Sequence, residues 1–365
     1  MNKKCKNINI KHLHIMTNSN YKVVENYIRF INEEFNREDH TFLIRDSKDN
    51  TNHALQDVEN IIWLPNAETK DIKKLFSYLK LSQHIYWHYM QWTAKTQFLI
   101  SIHPSIIKKS IWIAWGADLY NWKMDGKNIK ARIRNSIMYF LRSHFLNFVS
   151  IFPPDIEVFK KNFKSKATTY YAPYVDGIYN PIYKKKFSDE KSDSCINIQI
   201  GHSATRMLNH NEVLDCLYKF KNDNIKIYIP LGYGDITYKS QVVEKANKLF
   251  GSKAICITEM MDKDDYMEFL SRMDIAIFNT PRQIGLGNIL PLLYMGKKIF
   301  MPSSSVMYEF YKEYDVEICD YAEIKQMDFE NFSSKVDGDS GKKYVKECIT
   351  DKEKLIEMWK KVFNE

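Results

Sequence analysis

Apolar residues occur in short runs, separated by polar stretches in which apolar positions recur every three or four residues. The runs predict buried strands and the periodic stretches predict helices. In the first half the predicted strands are Ile8–Met16, His40–Ile44, Asn60–Leu64, His84–His88, Ser110–Ala114 and Phe148–Phe152. Tyr21–Phe35, Ile72–Leu79, Trp92–Ser101 and Lys127–Phe145 are the helices between them. In the second half the strands Cys195–Ile200, Ile225–Pro230, Ala254–Ile257, Ile275–Phe278 and Lys298–Met301 alternate with helices at Asn211–Phe220, after Asp235, at Lys263–Ser271 and at about Asn288–Met295. A terminal helix is predicted over Lys342–Phe363. Strand and helix in alternation mark an α/β fold with doubly wound parallel sheets.

The pattern lapses between the halves. Asp176–Ser194 holds turn formers, charges and few core residues, as a linker does. The expected organisation is a first Rossmann-like domain over 1–175, a linker over 176–194, a second Rossmann-like domain over 195–340 and a C-terminal helix over 341–365.

Glycines mark the chemistry. Predicted strands of the second half run into Gly201-His202-Ser203, Leu231-Gly232-Tyr233-Gly234 and Arg282-Gln283-Ile284-Gly285-Leu286-Gly287. Parallel strand ends point one way, so these loops are expected to line one crevice. Glycine lets backbone N–H groups approach an anion, and the helix starting near Asn288 adds its positive end. The expected ligand is a nucleotide diphosphate.

Composition trims the alternatives. A chain of 365 residues suits two α/β domains, and a formal charge of +8 suits a phosphorylated ligand or an anionic membrane surface. No nucleic-acid motif is present, so no nucleic-acid partner is expected. The six cysteines are scattered without a Cys-x-x-Cys, which argues against a zinc site or a disulfide framework. No metal and no cofactor are expected. No apolar run approaches the ~20 residues of a membrane span, and the basic N-terminus is too interrupted for a signal peptide. A cytoplasmic protein is expected.

The chain resembles the bacterial TDP-N-acetylfucosamine:lipid II N-acetylfucosaminyltransferase family, glycosyltransferase family 56. The matching residues are Trp115-Gly116-Ala117-Asp118-Leu119-Tyr120, Gly201-His202-Ser203 with the polar stretch to Asn211, and Pro230-Leu231-Gly232-Tyr233. They continue through Glu259, Tyr266 to Asp274, and Arg282 to Gly287. The resemblance implies a GT-B architecture: two facing Rossmann-like domains with an interdomain cleft. It also implies transfer of a deoxy or deoxyamino sugar, such as fucose or N-acetylfucosamine, from a TDP or GDP donor. The acceptor it implies is a polyprenyl-diphosphate-linked or other glycan of bacterial surface polysaccharide. One departure from the wider GT-B pattern is that no glutamate lies between Glu268 and Glu309, so the donor loop lacks the carboxylates of many retaining enzymes.

Roles follow from the chemistry of transfer. Without a metal, the leaving diphosphate is stabilised by helix N-termini and cations. The donor candidates are Gly201, His202, Ser203, Arg206, Gly232, Tyr233, Glu259, Arg282, Gln283, Gly285, Gly287 and Asn288. Arg206 and Arg282 read equally as solvated charges, Tyr233 as a rim residue and Glu259 as a helix cap. An inverting transfer needs a base. Asp118, inside the Trp-Gly block, and His88, ending a strand, are the catalytic candidates, with turn cap and structural histidine as their plainer readings. His14 is a lesser candidate.

The stretch Lys127–Phe148 puts Ile129, Ile133, Ile137, Phe140 and Leu141 on one helical face, and Lys130, Arg132 and Arg134 add charge without an acid. It reads as a core-facing helix with a basic outer face, or as a contact with the inner face of the bacterial inner membrane. Two functions of other kinds also fit the pattern: a non-catalytic nucleotide-sugar or glycan binding protein, and a nucleotide-sugar epimerase of the same architecture.

Overall fold

The computed structural model describes residues 10–16, 22–47, 53–90, 92–123, 126, 128–185 and 195–364. The chain forms two compact units, Met1–Tyr179 with Lys352–Glu365, and Asn180–Asp351.

The first unit contains β1 (Ile10–Met16), β2 (His40–Ile44), β3 (Ile61–Trp63), β4 (Ser82–His88), β5 (Ser110–Ala114), β6 (Asn147–Ser150) and β7 (Thr168–Tyr171). They form one sheet in the order β3-β2-β1-β4-β5-β6-β7, with every neighbouring pair parallel. Both faces are covered, so the inner strands are largely buried; every residue of β5 is buried. Its alternate residues serve opposite faces. Trp112 and Ala114 join the core with Leu13 and Trp87, whereas Ile111 and Ile113 join the core with Phe42 and Trp359.

The second unit contains β8 (Ile196–Ile200), β9 (Ile225–Pro230), β10 (Ala254–Ile257), β11 (Ile275–Ile277), β12 (Lys298–Met301) and β13 (Cys319–Asp320). Their order is β10-β9-β8-β11-β12-β13, again wholly parallel. In both sheets the order reverses beside the first strand, between β1 and β4 and between β8 and β11. Crevices at the carboxyl ends of strands form at such reversals.

Three features depart from the sequence expectation. Strand β7, Thr-Thr-Tyr-Tyr, lies at a sheet edge and is half-exposed, so no apolar run announced it. Of the expected linker, Asp176–Tyr179 is a helical turn and Pro181–Lys184 a 3₁₀ turn, while 186–194 lie outside the described residues. The terminal segment is two helices, Gly338–Cys348 and Lys352–Phe363. The second packs on the first unit, where Trp359 donates to the Pro173 carbonyl at 3.2 Å and stands edge-on to Tyr27. Among the described residues no helix is long and apolar enough to cross a membrane.

Candidate active site

In the second unit the carboxyl ends of β8, β9, β10 and β11 are drawn together by their backbones. After β8, Gly201 turns at φ 60° and Ala204 pairs with the loop after β9. The Ala204 N–H donates to the Tyr233 carbonyl at 2.7 Å, and the Asp235 N–H donates to the Ala204 carbonyl at 3.0 Å. The approach is so close that a Cβ on Gly234 would stand 2.6 Å from the Ala204 oxygen. A Cβ on Gly232 would stand 2.8 Å from the Glu259 carbonyl after β10. After β11, Gly285 takes φ 80°, and a Cβ there would stand 2.9 Å from Nδ1 of His202. These glycines are required by loop-on-loop contact and by left-handed backbone. Gly287 differs: nothing lies within 4 Å of where its Cβ would be.

Gly287 sits in the first turn of the helix Leu286–Tyr294, capped by Gly285. The N–H groups of Asn288 and Ile289 both return to the Gly285 carbonyl, at 2.8 and 3.0 Å. The N–H groups of Leu286 and Gly287 precede that ladder, at the positive end of the helix. Open space beside such a terminus suits an anion.

Side chains around the terminus are buried. His202, 7% exposed, lies between the loops after β8 and β11, its ring 6.3 Å from that of Phe278. Its Nδ1 is buried with no hydrogen-bond partner. Burial, and then the nearby Arg282 guanidinium, lower its pKa to about 4, so the imidazole is neutral. Arg282 is also buried; its Nε approaches Sδ of Met207 and its Nη1 donates to the Gln283 carbonyl at 3.3 Å. Ser203 shares a hydrogen bond with Thr205 at 2.8 Å. Gln283 is buried in the same loop.

Other candidates take different places. The Asn288 side chain turns inward, its Oδ1 accepting from Gln199 Nε2 at 3.1 Å and from the Tyr266 hydroxyl. Gln199 also donates to the Gly201 carbonyl at 2.7 Å, so one buried amide ties the loop after β8 to the helix start. Gln199 was not singled out from sequence, and Tyr266 stood only at the start of a family-matching stretch; the signal for Gln199 was an amide, like Asn197, alternating with isoleucine over Ile196–Ile200. Arg206 is surface-exposed and paired with Asp235 at 2.9 Å. Tyr233 is 51% exposed, its ring 6.3 Å from that of His202, and Glu259 is exposed. Among the described residues, no group of three or more His, Cys, Asp or Glu could hold a metal ion.

The two catalytic candidates of the first unit are not built as exposed bases. Asp118 is 2% exposed. Its Oδ1 accepts from the Trp115 N–H at 2.9 Å, and its Oδ2 accepts from the Met90 N–H at 2.9 Å and from Trp112 Nε1 at 2.6 Å. Burial raises the carboxyl pKa, opposed by these donors and by Arg142. Both carboxylate oxygens are thus engaged by donors in the interior, as in the turn-cap reading of this residue. His88 is equally enclosed: Nε2 meets Nδ1 of His14 at 3.2 Å, and Nδ1 bonds the Tyr174 hydroxyl. Burial lowers its pKa to about 3. His14 continues the network to His40 at 3.0 Å. His88 ends β4, whereas Asp118 lies past the end of β5 in the helical turn Ala117–Tyr120; only the tertiary packing shows both enclosed.

The helix Ile129–His144 was expected over Lys127–Phe145. It buries Ala131, Met138, Leu141 and Arg142 and leaves outside part of the stripe expected to face inward: Ile129 is 65% exposed, Ile133 55% and Phe140 40%. Lys130 and Arg132 are exposed and Arg134 is half-buried. Lys127 lies outside the described residues.

Two doubly wound parallel sheets, each reversing strand order at its first strand, define a GT-B protein. The same fold spans a sucrose-phosphate synthase from Thermosynechococcus elongatus (TM-score 0.65, 10% identity, 97% of this chain and 98% of that one). It also spans HepE from Anabaena in complex with UDP-glucose (TM-score 0.65, 10% identity, 97% and 99%) and a putative UDP-N-acetylglucosamine 2-epimerase from Listeria monocytogenes (TM-score 0.53, 11% identity, 97% and 97%). Such identities speak for fold alone. The family follows from sequence: residues 13–308 match the 4-alpha-L-fucosyltransferase family, glycosyl transferase group 56. The chain belongs to that family and is a glycosyltransferase.

Proposed function

We propose that this enzyme transfers a deoxy or deoxyamino sugar, fucose or N-acetylfucosamine in type, from a nucleoside diphosphate (TDP or GDP) to a polyprenyl-diphosphate-linked glycan, without a metal ion. The observation that carries the donor assignment is the open space at Gly287, beside a helix N-terminus on which glycine loops converge. The diphosphate lies on the N–H groups of Leu286 and Gly287, with Arg282 supplying charge and His202 a neutral ring nitrogen. Tyr233 and Glu259, exposed on neighbouring loops, meet the base and ribose. Gly201, Gly232, Gly234 and Gly285 serve the shape of the crevice, and Arg206 its rim. The complex of HepE with UDP-glucose supports a nucleoside diphosphate sugar as donor. Membership of group 56 favours transfer over epimerisation or binding without catalysis.

The first unit takes the acceptor, with Asp118 and His88 as positioning groups rather than bases. The exposed apolar and basic face of the helix Ile129–His144 meets an anionic bilayer, which puts the enzyme peripherally on the cytoplasmic face of the inner membrane. A thermal-shift panel of TDP-, GDP- and UDP-sugars tests the donor assignment, because a ligand bound to the native state raises the unfolding midpoint. At least one TDP- or GDP-sugar is expected to raise it, and the shift to vanish in Gly287→Val. A shift that persists in that variant refutes the placement of the diphosphate.

A further inference from the structure

Tyr89 directly follows β4 and has φ 61°. Among the described residues three other non-glycine residues have positive φ: Asn209, Asp315 and Asn364. Asn and Asp tolerate that region through their short polar side chains; a tyrosine there is strained. Strain of this kind persists only where surrounding structure enforces it.

The enforcement is visible. The Tyr89 N–H donates to the Ile113 carbonyl at 3.1 Å. At the next residue, the Met90 N–H is held by Asp118 at 2.9 Å and the Met90 carbonyl accepts from Arg142 Nη2 at 3.1 Å. Both charged residues are at most 2% exposed. Two buried charges of opposite sign thus grip one peptide unit on either side of Met90. The same Asp118 holds the Trp115 N–H after β5, where Gly116 turns at φ 88°. One carboxylate therefore fixes two loops.

Their joint product is a pair of aromatic rings. Tyr89 and Trp115 stand 5.4 Å apart at 35° between planes. Trp115 Nε1 donates to the Tyr174 hydroxyl at 2.8 Å, which fixes the indole edge. Tyr89, Trp115 and Tyr174 each keep part of their surface open, although the groups that hold them are buried. Strand β4 flanks the reversal of strand order, where α/β sheets take ligands.

We propose that Tyr89 and Trp115 form a sugar-stacking platform that takes one pyranose ring of the glycan acceptor. The C–H groups on one face of a pyranose carry slight positive charge and pack against the electron-rich face of an aromatic ring. Asp118 and Arg142 are positioning residues for that platform. This assignment rests on the reading of the enzyme as a glycan-directed transferase.

The test is saturation-transfer NMR on the full chain with a panel of methyl pyranosides: glucoside, galactoside, N-acetylglucosaminide and N-acetylmannosaminide. At least one glycoside is expected to receive saturation in wild type, most strongly at the ring protons of one face. The signal should fall at least fivefold in Tyr89→Gly and in Trp115→Leu and survive in Tyr89→Phe. Glycine adopts this φ freely, so Tyr89→Gly removes the ring without adding strain. A nucleotide-sugar thermal shift on the same samples should be unchanged in every variant. No transfer to any glycoside in wild type, or equal transfer in Tyr89→Gly and Trp115→Leu, overturns the platform. Failure of the donor reading shows separately, as nucleotide sugars that shift nothing while the glycoside signal still depends on Tyr89.

Discussion

The two sheets share a strand order about their first strand, yet their carboxyl edges are built from different materials. In the second unit the edge is backbone: glycines, a helix start and one buried amide, Gln199, that braces them. In the first it is side chain: a strained tyrosine, a tryptophan and buried charges, above histidines linked from His88 through His14 to His40. Backbone N–H groups recognise phosphate wherever glycine lets it approach. Ring faces recognise the apolar face of a sugar. One topology thus provides a place for a ligand, and residue choice at the strand ends decides its chemistry.

The sharpest way to break this contrast is Gly287→Val. A side chain fills the space left open beside the helix start, so donor affinity should fall about 100-fold, on the scale of losing preorganised N–H donors. Calorimetric titration with a donor sugar checks it, and unchanged affinity in the folded variant removes the phosphate site.

Asp118→Asn probes the other edge. An amide cannot accept from all three N–H groups, and Arg142 loses the electrostatic influence of a nearby carboxylate. Leaving a buried N–H without its acceptor costs about 1–3 kcal/mol of stability. All seven tryptophans lie in the first unit, so their emission during urea unfolding reports on it alone. A stable variant with turnover reduced about 100-fold, the mark of a lost general base, would restore the catalytic role expected from the sequence.

Acid should separate the units. Burial lowers His12 to about 3, His40 to about 4 and His88 to about 3, and lowers His14 as well. Lys11 and Asp39 border His12 with opposing effects. These rings are neutral in the folded chain and ionise near 6.5 once unfolded. The unfolded state therefore binds more protons between those limits, and stability falls as pH drops below about 6.5 towards 3. The second unit holds two such rings, His202 at about 4 and His210 at about 3. Tryptophan emission should report unfolding of the first unit at lower urea at pH 5 than at pH 7. An unchanged midpoint would mean that the histidine network does not titrate on unfolding.

A smaller effect concerns the surface. Replacing Lys130, Arg132 and Arg134 together by glutamate should release the enzyme from anionic liposomes, each basic residue contributing about 1 kcal/mol near such a surface. Donor binding in the second unit should not change. Sedimentation equal to wild type would exclude this helix as the contact. The smallest expected effect is none: transfer should continue in EDTA, and a loss reversed by magnesium or manganese would introduce a metal into the mechanism.

Much of the fold was legible because parallel strands buried on both faces are written as apolar runs. The runs Ser110–Ala114 and Lys298–Met301 agree with fully buried strands end for end, and Ile225–Pro230 and the half-buried edge strand Ala254–Ile257 agree in their bounds as well. Glycine loops are equally legible, since close backbone approach excludes other residues. What stayed hidden depends on partners distant in sequence. The Ile129, Ile133 and Phe140 stripe has helical spacing, but spacing does not say which face a neighbouring helix covers. Asp118 and His88 carried the residue types of bases, but their surroundings were set by Trp112, Met90, His14 and Tyr174. Local sequence determined the strands, the loops and the residue types at their ends, because those follow from periodicity and backbone freedom. Only the tertiary structure decided which polar groups meet solvent and which are enclosed, because solvation depends on everything packed around a group.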